Sequence, residues 1–63
     1  MLAVGDKAVI TGESEDFAHW NGLEVEVLAV WEDGQVYVRP LTERPDDNGL
    51  TDFYWTSETL VKS

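Results

Sequence analysis

The sequence predicts an all-β protein in which five short strands form a small barrel, with a short 3-10 turn before the last strand. Three observations carry this prediction. Apolar and polar residues alternate at period two through the middle of the chain, Asp33-Gly34 can make a tight turn within that stretch, and turn-forming residues separate the remaining segments. Five short strands at this spacing favour a small barrel over a sandwich.

The length of 63 residues allows a single domain, residues 1–63. A domain of this size buries only about 60% of the surface that its unfolded chain exposes, so its stability depends on every large apolar side chain. The chain has no cysteine and therefore no disulfide bond. Three Trp, two Tyr and two Phe residues must supply much of the core.

The first strand is expected at residues 6–11, with Ala8 and Ile10 pointing inward. A long loop over residues 12–22 follows it. This loop carries several carboxylates ahead of its aromatic residues, so it is the most distinctive surface segment of the chain.

The second strand is expected at residues 23–31. Its inner face is apolar at period two and consists of Leu23, Val25, Val27, Ala29 and Trp31. Glu24 and Glu26 occupy the outer face, but Leu28 and Val30 then interrupt its polarity. This change indicates that the strand bends over a barrel in its second half.

The third strand is expected at residues 35–39, after a tight turn at residues 32–35. Within it, Val36 and Val38 point to the core. Pro40 marks an edge or the end of the strand, because proline cannot donate a ladder hydrogen bond. An exposed edge at this point could pair with another copy of the chain.

Two further strands complete the prediction. The β-branched and aromatic residues 51–55 form the fourth strand, with Phe53 and Trp55 on its inner face. One short helical turn follows, with Ser57 as its cap, before a last strand at residues 60–62.

The charge of the chain limits the partners it can have. Four basic residues face thirteen acidic ones, giving a net charge of −9. Nucleic-acid binding requires clustered Lys and Arg, so direct binding to DNA or RNA is not expected. A basic protein surface would be attracted, although the same charge also keeps a small protein soluble and monomeric.

The sequence predicts neither an enzyme nor a cofactor or metal site. The single histidine, His19, makes no triad or histidine-based metal site. Asp46 and Asp47 lack the alternate spacing of a calcium-binding loop. The N-terminal segment has no signal-peptide pattern, no segment is apolar enough to span a membrane, and the lack of cysteine fits a reducing compartment, so a cytoplasmic location is expected.

Four parts of the chain together resemble a known family. They are residues 5–10 (GDKAVI), residues 22–27 (GLEVEV), residues 33–38 (DGQVYV) and the pair Trp55 and Leu60. Over nearly the whole chain they resemble SH3-like small barrels of the KOW type, and the resemblance implies a five-stranded SH3-like barrel. Small acidic proteins of this build also resemble accessory proteins encoded by bacteriophages.

The chain departs from the KOW pattern at Val25, where such motifs usually have a second glycine. It also lacks the basic residues of the family members that bind nucleic acid. The resemblance therefore supports the fold more strongly than a role at RNA polymerase or the ribosome, since fold does not determine function.

The candidate site is an acidic and aromatic surface centred on residues 13–20 of the long loop. Rings that stack on an extended ligand, flanked by acids that pair with Arg or Lys, suit a basic peptide. The predicted partner-binding residues are Glu13, Glu15, Asp16, Phe17, His19, Trp20 and the outward-facing Tyr37 and Tyr54.

Several interpretations stay open at this point. Phe17 and Trp20 could simply cover one open end of the barrel, because so small a protein needs every large side chain. The leading functional hypothesis is a protein-binding module with a basic partner. The alternatives are a nucleic-acid mimic, whose carboxylates imitate phosphates, and a KOW-like domain that binds nucleic acid directly.

Overall fold

The computed structural model describes residues 2–63, and Met1, the first residue of the predicted domain, lies outside them. The strands are β1 (Lys7–Ile10), β2 (Glu24–Val30), β3 (Gln35–Pro40), β4 (Phe53–Thr56) and β5 (Leu60–Lys62). They form one antiparallel sheet in the order β4-β3-β2-β1-β5. The all-β class, the five strands and the 3-10 turn before β5 are confirmed, but β4 and β5 are the two edges and the sheet is not closed.

The core lies on one face of this sheet and follows from the alternation in the sequence. Ala8 and Ile10 of β1, and Val36 and Val38 of β3, are 0% exposed, as predicted. The other buried apolar residues are Trp20, Leu23, Val25, Val27, Phe53 and Leu60. No charged or polar side chain is buried among residues 2–63, so burial of apolar surface is the main stabilising term of the fold.

A β-bulge in β2 overturns part of the predicted inner face. The pairing between β2 and β3 shifts between Val27 and Ala29, which leaves Leu28 as the extra residue. Beyond the bulge, Ala29 lies opposite the outward-facing Tyr37 and therefore shares its face. The prediction that Ala29 and Trp31 point inward was wrong, and Trp31 is 44% exposed.

The turn between β2 and β3 depends on one glycine. Gly34 has a φ of 91°, in the region that glycine adopts at low cost, and its N–H donates to the carbonyl of Trp31 at 3.2 Å. Asp33 acts through its side chain, whose Oδ1 accepts the N–H of Gln35 at 3.0 Å. The predicted tight turn is confirmed, with the positive φ at Gly34 alone.

Pro40 ends β3 but does not mark a sheet edge. It lies opposite Val25 of β2, and β3 is an inner strand between β2 and β4. The missing N–H is tolerated because the pairing of β3 with β4 stops at Val38. The predicted self-pairing edge at Pro40 is therefore wrong, and the free edges belong to β4 and β5.

Two 3-10 helices connect the strands. The second one, Ser57–Thr59, begins after Thr56, which is the N-cap and makes no side-chain cap hydrogen bond, so the predicted capping role of Ser57 was wrong. The first one, Glu15–Trp20, lies within the segment predicted as a long loop. No helix within residues 2–63 has both the length and the apolar character needed to cross a membrane.

Candidate functional site

The loop at residues 12–22 is closed at its base by hydrogen bonds. Gly22 donates its N–H to the carbonyl of Ile10 at 2.8 Å, and Ile10 donates to Leu23 at 3.0 Å. The side chain of Asn21 bridges the two arms, because its Oδ1 accepts the N–H of Glu13 at 2.9 Å and its Nδ2 donates to the carbonyl of Glu13 at 2.8 Å. These contacts fix the position of Glu13 relative to the sheet.

Trp20, at the end of the first 3-10 helix, anchors the loop to the core. Its side chain is 6% exposed, and its ring centroid lies 5.2 Å from that of Phe53 and 5.0 Å from that of Trp55. Ring pairs at these separations stabilise beyond the area they bury. Trp20 is thus a core residue, and it presents little surface to a partner.

Phe17 lies on the outer side of the same helix and is 54% exposed. The rings of Phe17 and Trp55 form a T-shaped pair, with centroids 6.1 Å apart and an interplanar angle of 84°. Between the loop and strand β4 runs a shallow groove of about 220 Å³, which we call the loop groove. Its lining residues are Glu13, Phe17, Tyr54, Trp55 and Thr56.

A second groove of about 410 Å³, the turn groove, flanks the same part of β4. It is lined by the β2–β3 turn, by β4 and by the second 3-10 helix, through residues Asp33, Gly34, Gln35, Tyr54, Trp55, Thr56 and Glu58. The two grooves share Tyr54, Trp55 and Thr56. These three residues of β4 therefore form the ridge between them.

The outer face of the sheet continues the aromatic surface. The ring centroid of Tyr54 lies 4.7 Å from that of Tyr37 and 5.8 Å from that of Trp31. Tyr37 and Tyr54 face each other across β3 and β4, which is why alternation predicted both as outward-facing. Tyr54 belongs to this aromatic group and to both grooves.

Both grooves are acidic. Glu13 lines the loop groove, while Asp33 and Glu58 line the turn groove. Within the described chain, no Lys or Arg lines either one. A third and larger groove of about 660 Å³ contains Lys62 as well as Glu32, so its charges balance.

Arg44 has a different role, beneath the loop at residues 41–52. Its guanidinium carbon lies 4.7 Å from the ring centroid of Phe53 and 5.5 Å from that of Trp20. It donates to the carbonyl of Thr51 at 3.2 Å and to Oδ2 of Asp46 at 2.7 Å. Its Nε is buried without a hydrogen-bond partner among the described residues. Arg44 therefore covers the aromatic core, and its charge is not presented to a ligand.

The contact with Arg44 affects the pKa of Asp46. Partial burial alone would raise the pKa of Asp46, but hydrogen bonds from Asn48 and Arg44 and the positive charge of Arg44 hold the pKa below its ordinary value. This carboxylate is thus stabilised in its ionised form by the loop that contains it.

The structure brings together only part of the predicted site. Glu13, Phe17 and Tyr54 meet at the loop groove. Glu15, Asp16 and His19 are exposed on the first 3-10 helix but are not among the residues that line either groove. Glu15 begins that helix with a φ of 54°. The carboxylates of Glu15 and Asp16 therefore act on a ligand in the groove only through their long-range field.

Sequence reasoning missed Trp55 and Thr56 as site residues. Alternation placed Trp55 on the inner face, and this is confirmed by its packing against Trp20 and Phe53. Because β4 is a sheet edge, Trp55 also lines the loop groove. A strand order cannot be derived from periodicity, so no signal in the sequence reveals this second role.

Comparisons of the chain with protein-family models, with curated proteins and with solved structures find no match. No cluster of three or more His, Asp or Glu side chains suited to a metal ion is present in residues 2–63. The site is consequently interpreted from its own geometry and charge.

Proposed function

We propose that this protein is a non-enzymatic protein-binding module that docks a basic partner in the loop groove. We also infer that its sheet has the arrangement of an SH3-like small barrel that stays open between β4 and β5. The strand order supports this second inference, because β1 pairs with both β2 and β5 and the second 3-10 helix connects the two edge strands. The protein is proposed to be a monomer that binds its partner inside the cell.

The observation that carries the function is the presence of an exposed aromatic side chain and a carboxylate in the same groove. Phe17 packs against Trp55 in a T-shaped arrangement and is still 54% exposed, and Glu13 lines the same groove. An Arg or Lys side chain placed there would stack its stem and charge on rings and approach a carboxylate with no competing cation. Aromatic residues, Phe included, are enriched at the centres of protein interfaces.

The experiment is affinity capture from the native host by four immobilised proteins, with mass spectrometry of the captured partners. The wild type is compared with Phe17→Ala, Glu13→Gln and the control Leu50→Ala. Leu50 is 60% exposed and lines neither groove, so it matches Phe17 as an exposed apolar side chain. Partners held by the wild type and Leu50→Ala should be lost, or bind at least about tenfold more weakly, with Phe17→Ala.

Equal capture of the same partners by Phe17→Ala and the wild type would place the interface elsewhere. All variants are checked by circular dichroism, and Phe17 and Glu13 are suitable positions because neither belongs to the buried core. Trp20→Ala is unsuitable for this purpose, since Trp20 is in the core.

A nucleic-acid mimic is the second candidate, and the distribution of charge favours it. No carboxylate is buried among residues 2–63, so the acidic groups lie on the surface of several elements. A mimic would lose its partner in the presence of competing DNA and would show a steep dependence on salt. A groove-docked partner would instead survive DNA competition and respond to Phe17→Ala.

A further inference from the structure

Strand β4 has a free edge directly between the two grooves. The hydrogen bond from the N–H of Ser57 to the carbonyl of Gly34, at 2.8 Å, extends the ladder between β3 and β4. In an antiparallel ladder, hydrogen-bonded pairs alternate with pairs that are not hydrogen-bonded. Counting back by two residues, Trp55 and Phe53 bond to β3, so the backbone of Tyr54 and Thr56 points away from it.

The free edge therefore presents a short row of backbone groups to solvent. These are the N–H and carbonyl of Tyr54 and the N–H of Thr56, while the carbonyl of Thr56 faces the helix it caps. Both residues are exposed. Unpaired groups of this kind form a template for one more strand.

We propose that the basic partner binds as an additional β-strand along the free edge of β4. This inference rests on the docking of a basic partner proposed above and specifies its conformation. The partner segment would be extended, would pair its backbone with Tyr54 and Thr56, and would carry basic side chains. Main-chain hydrogen bonds would supply affinity, and the grooves would supply specificity.

The positions of the two grooves fit this mode of binding. Successive side chains of a strand point to opposite faces of the sheet. On the inner face, alternate side chains of an added strand would reach the loop groove, where Phe17 packs against Trp55. On the outer face, the intervening side chains would reach the turn groove, beside Gln35 and Thr56.

The charges beside the free edge of β4 favour a basic partner segment. An added strand would have the carboxylate of Glu13 on one side and those of Asp33 and Glu58 on the other, with no Lys or Arg of the described chain lining either groove. A second copy of this chain, with its net charge of −9, would bring like charges together at this edge. A segment with repeated Arg or Lys and β-forming residues is the favoured partner.

The test uses a synthetic octapeptide of alternating Arg and Val, acetylated and amidated at its ends, and the same peptide with every backbone nitrogen methylated. Amide exchange with solvent is measured by NMR on the ¹⁵N-labelled protein, with and without saturating peptide. Exchange of the Tyr54 and Thr56 amides should slow at least tenfold with the first peptide and stay unchanged with the methylated one. The matched control is the amide of Lys62 on the opposite edge strand, which should not change.

The outcomes separate this inference from the proposed function. Binding of both peptides without slower exchange at Tyr54 and Thr56 would overturn strand addition and leave groove docking intact. Slower exchange at Lys62 instead would assign the added strand to β5 and also overturn the inference. If neither peptide binds at millimolar concentration, the docking of basic segments is overturned, and strand addition is overturned with it.

Discussion

The guanidinium carbon of Arg44 lies 4.7 Å from the centre of the Phe53 ring. The two residues come from different sides of one long turn, and their contact folds the segment at residues 41–52 over the end of the core. The guanidinium is held there by the carbonyl of Thr51 and the carboxylate of Asp46. In this small acidic protein, one of the four basic side chains thus serves packing.

Replacement of Arg44 by Ala should lower the free energy of unfolding by about 1–3 kcal/mol, through lost stacking on two rings and lost hydrogen bonds. Urea denaturation followed by Trp fluorescence measures this loss. The control is Arg39→Ala, because Arg39 is 56% exposed and pairs with Asp52 at 3.3 Å. Arg39→Ala should lower the free energy of unfolding by less than about 1 kcal/mol, because exposed ion pairs contribute little to stability. Equal losses for the two variants would contradict a packing role for Arg44.

The contact between Arg44 and Asp46 should make stability depend on pH. Because the pKa of Asp46 is lowered in the folded state, its stabilising effect is fully present above the unfolded-state pKa of about 3.9 and is lost as pH falls through the lower folded pKa. The urea midpoints of the wild type and Asp46→Asn should therefore differ near neutral pH and converge below about pH 4.

The control for this pH dependence is Asp47→Asn, which removes one charge from the same loop. The Asp47 side chain forms no ion pair within residues 2–63. We expect the difference in urea midpoint between the wild type and Asp47→Asn to change little with pH. If this difference instead disappears at low pH as it does for Asp46→Asn, the effect comes from net charge and not from the contact with Arg44.

Trp20 is buried and Trp31 is exposed, so their replacement by Ala should change the free energy of unfolding by different amounts. Trp20→Ala removes a side chain that is 6% exposed and should cost about 3–5 kcal/mol. A core of this size rarely supplies more than about 3–5 kcal/mol in total, so the variant should be largely unfolded at 25 °C. Trp31→Ala removes a side chain that is 44% exposed and should leave a folded protein. Circular dichroism and NMR dispersion measure both, and a native-like Trp20→Ala spectrum would refute the core assignment.

The strands were predictable from the chain because period-two alternation reports burial on one face. That signal placed Val36, Val38, Ala8 and Ile10 correctly, and the last strand has the predicted bounds at Leu60–Lys62. It failed at the bulge after Val27, because one inserted residue reverses every later assignment of faces. The change of pattern at Leu28 and Val30 indicated a bend, but it did not identify Leu28 as the inserted residue.

The candidate site was predictable only in its chemistry. Glu13 and Phe17 lie close together in the chain, so their association needs no knowledge of the fold. Their meeting with Tyr54 and Trp55 depends on the first 3-10 helix lying against β4. The helix is positioned by the burial of Trp20 against Phe53 and Trp55. Local helix and strand propensities do not predict this tertiary contact.

By itself, the sequence determined that this protein is a small, acidic, all-β chain with an acidic and aromatic loop, because composition and alternation are local properties. Tertiary structure alone decided that Trp20 is buried while Phe17 is exposed, and that Trp31 faces outward. It also made β4 a free edge with carboxylates on both sides. These features arise from the packing of the first 3-10 helix, from strand order and from one bulge, and all three depend on contacts between residues distant in the chain.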